Sequence, residues 1–248
     1  MCSSRVAASI AVLCFGVVIS VPTWSKDKAK EDDGTTVDSG SFGIFAGGLR
    51  IATETFTIKQ GSLGSLVSSD FKSTQGDQNA EQSSVLQLSP SGDLRSYDWK
   101  ELSPGKTVAS VVPDESFLIE HFGDSPTSKQ NAQNFLLPAS TAIMDDYVFV
   151  HREVLAWKYL ATACKHDQGL QCPKDQKMQF GTLNPHERSS MPVSIEFTGR
   201  DKVNVHAVQR ELSRFVLKSE SGDWALWLDD QLKLVRLLND TGTEVVRD

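Results

Sequence analysis

Short apolar runs separated by turn residues recur along most of this 248-residue chain. Val193, Ile195 and Phe197 alternate with polar residues in "MPVSIEFTG", and "SVLQLSP", "TVASVVP" and "SFLIEHF" have the same β-type character. Apolar side chains at every second position are typical of strands that bury one face. The turn residues between the runs favour a meander, in which strands that are neighbours in sequence pair antiparallel. The sequence therefore predicts a mainly β protein.

One segment has the period of a helix instead. In "DDYVFVHREVLAWKYLATACK", Val154 and Trp157 belong to a series of apolar residues at helical spacing, which predicts a helix over 146–163. Asp145 or Asp146 is the expected N-cap. Because the apolar stripe is wide, we expect this helix to pack on the sheet. The predicted fold is α+β: a curved antiparallel sheet, half-barrel or open barrel, with one main helix packed on it.

The stretch "DWALWLDDQLKLVRL" (223–237) can be read as a helix or as a hairpin. At period two, Trp224, Leu226 and Leu228 share one face and Trp227 takes the other. "DDQ" then forms the turn. The match to period two favours the hairpin.

Glycine and polar residues indicate the remaining turns and loops. "AGG" joins two strand-like runs as a hairpin turn, and "TGRDK" (198–202) is also expected to be a turn. Residues 60–84 and 123–134 are predicted to be long polar loops.

The N-terminus has the order of a secretory signal peptide. Arg5 precedes an apolar stretch that ends in small residues, and cleavage fits after Ser20 or after Ser25. We predict a signal peptide at 1–25, a flexible linker at 26–41 and a single β-rich domain at 42–248. The protein is therefore expected to be exported, to the periplasm or the extracellular space.

Charge limits the expected partners. The formal net charge is −7 and no basic block is present, which argues against nucleic acid as a partner. No later segment resembles a membrane span, so we expect no stable membrane insertion of the mature chain.

Cys164 and Cys172 are the cysteines that remain after the signal peptide. A close pair in an exported protein predicts a disulfide. The alternative, a metal site with His166, lacks a full ligand set at a familiar spacing. We predict no metal site and no cofactor.

No nucleophile–base set is visible in the sequence. "HRE" at 151–153 lacks the P-C-x-x-C partner of a zinc deaminase, and the S-x-x-K matches lack their companion motifs. An enzyme, most plausibly a hydrolase, would need His121, His151 or His206 to meet a carboxylate in a cleft. We predict no catalytic residues.

The aromatic residues carry the remaining information. Their ordinary role is the core. A curved sheet around a helix also has a concave side, where Phe149, Trp157, Trp224 and Trp227 could line a site for a lipid-like ligand.

The order of signal peptide, Gly-Gly hairpin, antiparallel run, single helix and closing "ALWLDDQLKLVRLL…VVR" hairpin resembles the LolA/LolB-like half-barrel lipoprotein carriers and other exported β-rich envelope families of bacteria. In those carriers a curved sheet covered by helices holds acyl chains. The resemblance implies a non-catalytic envelope protein that binds a hydrophobic or amphipathic ligand. The alternatives are a structural or interaction module that docks an envelope protein, and, third, a hydrolase.

Overall fold

The computed structural model describes residues 34–73, 79–165, 171–173 and 176–248. Within them the chain forms fifteen strands and one helix. The elements are β1 (Thr35–Ala46), β2 (Leu49–Gly61), β3 (Gly64–Ser73), β4 (Glu81–Leu88), β5 (Leu94–Ser103), β6 (Val108–Asp114), β7 (Phe117–Gly123), β8 (Asn131–Phe135), β9 (Ala142–Ile143), α1 (Val150–Ala163), β10 (Lys177–Asn184), β11 (Ser189–Val205), β12 (Val208–Ser219), β13 (Gly222–Leu228), β14 (Leu234–Asn239) and β15 (Thr243–Arg247).

All fifteen strands belong to one open sheet. Its order is β8-β7-β6-β5-β4-β3-β2-β1-β15-β14-β13-β12-β11-β10-β9. Strands β1 to β8 form a first arm and β9 to β15 a second arm, and the two arms join where β1 pairs antiparallel with β15. The other pairs are antiparallel as well, except that β9 runs parallel to β10. The meander predicted from the turn residues is confirmed.

The sheet curves around α1. Phe56 and Tyr97 of the first arm and Phe215 and Leu237 of the second arm are buried in the same core as Tyr159 of the helix. Two arms can share one core with one helix only if the sheet bends around that helix. The predicted fold class, a curved, open, mainly β sheet with one helix packed on it, is confirmed.

The hairpin at 222–239 is also confirmed. Leu226 and Leu228 face the main core, whereas Trp227 lies on the outer face in a second apolar cluster with Leu212, Val235 and others. The tip of the β11–β12 hairpin reaches this outer face, since Val205 belongs to the same cluster.

Four predicted loops or turns need correction. The predicted linker 26–41 overlaps β1, which begins at Thr35; the residues up to 33 lie outside the described part of the chain. The predicted loop 60–84 contains all of β3, and 123–134 contains most of β8. "TGRDK" is not a turn but a part of β11 that contains a bulge at its own Gly199 (φ 124°).

α1 begins later than predicted, and neither Asp145 nor Asp146 is its N-cap. The N-cap position is Phe149, whose own side chain makes no capping bond. Glu54 of β2 accepts the amide hydrogens of Phe149 (2.8 Å) and Val150 (3.3 Å) instead. A carboxylate at a helix N-terminus satisfies orphan amides and complements the helix dipole.

Cys164 and Cys172 form the predicted disulfide, with 4.3 Å between their Cα atoms. It follows directly on α1. His166, the third ligand of the alternative metal site, and the predicted signal peptide 1–25 lie outside the described residues. No helix in the described ranges is both long and apolar enough to cross a bilayer.

Candidate functional site

The two faces of α1 have different surroundings: one is buried in the core and the other lines a cleft. Its core face carries Leu155, Ala156 and Tyr159, all buried. The opposite stripe is less buried and lines a cleft at i, i+3, i+4, i+7 and i+8 spacing. The stripe, which we call the outer stripe, consists of Val154, Trp157, Lys158, Ala161 and Thr162. A helix face whose apolar side chains are only partly buried against the core is the feature from which the candidate site is built.

Two adjoining clefts lie beside the outer stripe. The first, of about 290 Å³, separates it from β2–β4 and is lined by Ile58, Val67 and Leu88 opposite the helix. The second, of about 320 Å³, continues toward the β13–β14 turn at Leu232. They share Gln60, Trp157 and Ala161 as wall residues. Each volume is at the lower end for small-molecule sites, roughly 300–1,000 Å³, which suits a slender ligand.

The position of Trp157 is fixed by one hydrogen bond. Its indole Nε1 donates to the carbonyl oxygen of Leu232 at 2.6 Å. This bond satisfies the only polar atom of the side chain and leaves the ring as an apolar wall of both clefts. Trp157 is the predicted site residue that the structure places at the clefts.

Two lysines stand at the clefts with different partners. Lys233, in the second cleft, pairs with Asp38 at 3.1 Å. Lys158, in the first, donates through Nζ to the carbonyl oxygens of Ser140 (2.7 Å) and Gly92 (3.3 Å). Burial lowers the pKa of Lys158, partly opposed by the charge of Asp93.

The other predicted site residues lie elsewhere. Phe149 is buried in the core, with Trp224 6.1 Å away, ring centre to ring centre. Trp227 is on the outer face of the sheet, flanked by the guanidinium groups of Arg214 and Arg236 at 6.0 and 5.2 Å. The four aromatic residues therefore do not form one surface, and the concave side that was expected to be a cavity is occupied by α1.

Sequence analysis missed Arg152. This arginine is buried inside the fold, with its guanidinium 5.0 Å from the ring of Phe149 and 4.9 Å from that of Trp224. Its Nη1 donates to the carbonyl oxygens of Asp145 and Val148. Aromatic faces and carbonyls stabilise this cation, so Arg152 fixes the start of α1 in the core. The sequence signal for this buried arginine was a charged residue within the wide apolar stripe of the predicted helix.

A second group missed from the sequence surrounds Asp145. The Asp145 carboxylate is fully buried, accepts a hydrogen bond from Tyr97 and lies 3.0 Å from Nδ1 of His186. Burial alone would raise the pKa of Asp145, but His186 holds it below its usual value; the Asp145 charge in turn raises the pKa of His186 against its own burial. His186 lies on the β10–β11 turn, so the ion pair joins that turn to the segment before α1, which Tyr97 in turn joins to β5.

Glu120, on β7, lies near the pair of Asp145 and His186. It is fully buried, and neither carboxylate oxygen has a hydrogen-bond partner among the described residues. Burial raises the pKa of Glu120 to about 7, against the opposing charges of Arg188 and His186. The polar side chains of Tyr97, Glu120, Asp145, His186 and Arg188 therefore lie near the β10–β11 turn. No described cleft exposes them together to solvent.

The histidines considered for catalysis are dispersed. His121 lines a cleft on the sheet with Ser83 and Lys100, while His206 is exposed and bonds through Nε2 to the carbonyl of Arg247. His151 is buried on α1, and burial lowers its pKa to about 4. Since the three lie in separate places, the structure does not bring them together. Within the described residues, no group of His, Cys, Asp and Glu side chains has the geometry of a metal site.

A charged network closes the junction of the arms. The Asp38 carboxylate of β1 accepts two hydrogen bonds from Arg247 of β15, at 2.6 and 3.1 Å. Arg247 also contacts Glu153 of α1 at 3.2 Å. Burial would raise the pKa of Asp38, but Arg247 and Lys233 hold it below its usual value. This network joins both arms and the helix, which makes it structural.

Comparisons with known proteins do not assign this chain to a family. No family model and no curated protein matches the chain. Among solved structures, a DUF1089 family protein from Pseudomonas aeruginosa matches with a TM-score of 0.46 and 10% identity, over 77% of this chain and 92% of the other. So distant a likeness carries no argument about function. The resemblance to LolA/LolB-like carriers is not shown by these comparisons and stays a hypothesis.

Proposed function

We propose that this protein is exported and that it binds, without catalysis, the apolar chain of an amphipathic ligand in the two clefts beside α1. One observation carries the proposal: Val154, Trp157 and Ala161 of the outer stripe are only partly covered by the core and line the clefts. Export is supported by the signal-like N-terminus and by the Cys164–Cys172 disulfide, which is typical of oxidising compartments.

The dimensions of the two clefts favour a ligand with a single alkyl chain. The first cleft is bounded by Ile58, Val67 and Leu88 on the sheet and by Val154 on the helix, and the second continues it past Trp157. A slender alkyl chain can follow both clefts. Burial of each methylene group contributes about 0.8 kcal/mol.

A chain-length series tests the proposal. Octanoate, decanoate, dodecanoate and tetradecanoate are titrated into the purified protein with its disulfide intact, and binding is followed by calorimetry. We expect affinity to rise about fourfold per methylene until the clefts are filled, and then to level off. Absence of binding across the series, or affinity independent of chain length, would overturn the proposal.

Blocking variants locate the site. Ala161 is exposed and belongs to both clefts, so Ala161→Trp fills them from a position that is not itself part of the core. Gln87→Trp adds the same side chain at an exposed position on β4 that lines neither cleft. Loss of binding in Ala161→Trp but not in Gln87→Trp is expected; equal binding by both would place the ligand elsewhere.

Protein docking is the second candidate, because the open sheet ends at β8. The outer edge of β8 has no strand partner among the described residues, and Leu136 beyond it is 77% exposed. Such an edge can pair with a strand of another protein. A photo-crosslinker at Ala132 of β8 should then capture one defined envelope protein, while the same group at Gln87 captures none.

A further inference from the structure

The first cleft combines an apolar floor with one polar end. Ile58, Val67 and Leu88 form the floor, and Lys158 stands beside the β4–β5 turn, where Ser89 and Ser91 also line the cleft. A ligand that lies along this floor has one end next to an ammonium group. The chemistry at Lys158 therefore decides which head group the site accepts.

Lys158 differs in its partners from Arg247 and Lys233, two other partly buried cations. Arg247 and Lys233 each pair with the Asp38 carboxylate. Lys158 has no carboxylate partner among the described residues; its two hydrogen bonds go to the neutral carbonyls of Ser140 and Gly92. Asp93, the acidic residue whose charge acts on it, already accepts a hydrogen bond from Ser91 at 2.8 Å.

One donor of Lys158 remains available to a ligand. A lysine ammonium has three N–H donors, and carbonyl oxygens take two of them. A carboxylate oxygen matches a single remaining N–H and supplies the missing negative charge. A phosphate, with three acceptor oxygens and a larger charge, would leave most of its oxygens without donors here.

We infer that the amphipathic ligand is a single-chain fatty acid, bound with its carboxylate at Lys158 and its alkyl chain along β2–β4 toward Trp157. This assignment rests on the proposed function, since it requires that the clefts bind an alkyl chain. It goes further in naming the head group and the residue that recognises it.

The test compares head groups of equal chain length. Dodecanoate, dodecanol and dodecyl phosphate are titrated into the disulfide-bonded protein at about pH 8, where the carboxylate is ionised. We expect dodecanoate to bind about tenfold or more tighter than dodecanol, because hydrogen bonds to charged groups are stronger than neutral ones. Dodecyl phosphate should bind no tighter than dodecanoate.

Variants of Lys158 identify the contact. Lys158→Met should lower the affinity for dodecanoate to that for dodecanol and leave dodecanol binding within about twofold, as expected from the loss of one charged contact alone. Lys158→Arg, which keeps the charge, should retain most of the preference. Lys106→Met is the control, because Lys106 is exposed and lines neither cleft; it should retain the preference in full.

The outcomes separate the two proposals. If none of the three compounds binds, the proposed function fails. If dodecanoate and dodecanol bind equally and Lys158→Met changes neither, the clefts bind alkyl chains but the head-group assignment is wrong. Tighter binding of dodecyl phosphate, or loss of the preference in Lys106→Met as well as in Lys158→Met, also overturns the assignment.

Discussion

At the scale of single residues, Glu120 shows how a buried carboxyl couples the fold to pH. The pKa of Glu120 is raised from 4.5 to about 7 because it is buried without hydrogen-bond donors. Between these two pH values the folded protein binds a proton that the unfolded chain has lost. The free energy of unfolding therefore falls as pH rises from about 4.5 to about 7.

Glu120→Gln tests this coupling. The amide keeps the shape and removes the charge, so we expect the variant to be more stable than the parent at about pH 8, by on the order of 1–3 kcal/mol, and equal to it at about pH 4. Denaturant unfolding at a series of pH values measures the difference. Glu220→Gln, at an exposed position in the β12–β13 turn, is the control and should leave the pH profile unchanged. An identical profile for Glu120→Gln and the parent would contradict the assignment.

The tryptophans give a second prediction at this scale. Trp157 lines both clefts, whereas Trp227 lies in the outer cluster under the β11–β12 hairpin. Binding of dodecanoate should change the tryptophan emission of the parent and of Trp227→Phe, but not of Trp157→Phe. If the emission change is lost in Trp227→Phe instead, the ligand binds at the outer face of the sheet.

At the scale of elements, α1 depends on a residue far away in sequence. Glu54 accepts bonds from Phe149, Val150 and the hydroxyl of Ser69 (2.7 Å), although burial raises the pKa of Glu54 to about 7. Glu54→Ala removes the cap and leaves buried amides unsatisfied, so we expect a loss of about 1–3 kcal/mol. Ser69→Ala, which leaves both amide bonds in place, should cost less. Thermal unfolding followed by circular dichroism compares them, and equal losses would argue against capping by Glu54.

The disulfide gives the second prediction for an element. Cys164–Cys172 closes a short loop after α1, which in the chain-entropy model stabilises by about 2–3 kcal/mol. The Cys164→Ser/Cys172→Ser double variant should be less stable by this amount and insensitive to reductant. A parent whose melting temperature does not fall on reduction would contradict this prediction.

Sequence patterns predicted most elements but missed β3 and β8, whose alternation of apolar and polar residues is weak. The alternation in β11 and the Trp224–Leu228 face of β13 are local, and both were predicted. β3 was missed because its buried positions include Ser69 next to Val67 and Phe71, so its period-two signal is weak. The cap at Glu54 and the pair of Asp145 with His186 join residues distant in sequence, and no local pattern contains them. The clefts were not predictable either, because they depend on which face of α1 the two arms cover.

At the scale of the whole molecule, the sheet is held together in its middle. β15 pairs with β1 and β14, whereas β8 has a single neighbour. Val245→Pro breaks the ladder between the arms and should prevent cooperative folding, while Ala132→Pro at the β8 edge should cost about 1 kcal/mol or less. Denaturant unfolding of the two variants measures the contrast. A Val245→Pro protein that still unfolds in one cooperative transition would contradict this prediction.

The junction of the arms also sets when the protein can fold. Arg247 and its partner Asp38 are 209 residues apart, so the centre of the sheet is completed only after nearly the whole chain has been synthesised. A nascent chain that holds the first arm alone has β1 as an unprotected edge and no helix to cover its inner face. We expect such a chain to stay unfolded until α1 and β15 have been added, a state that would suit the export proposed above.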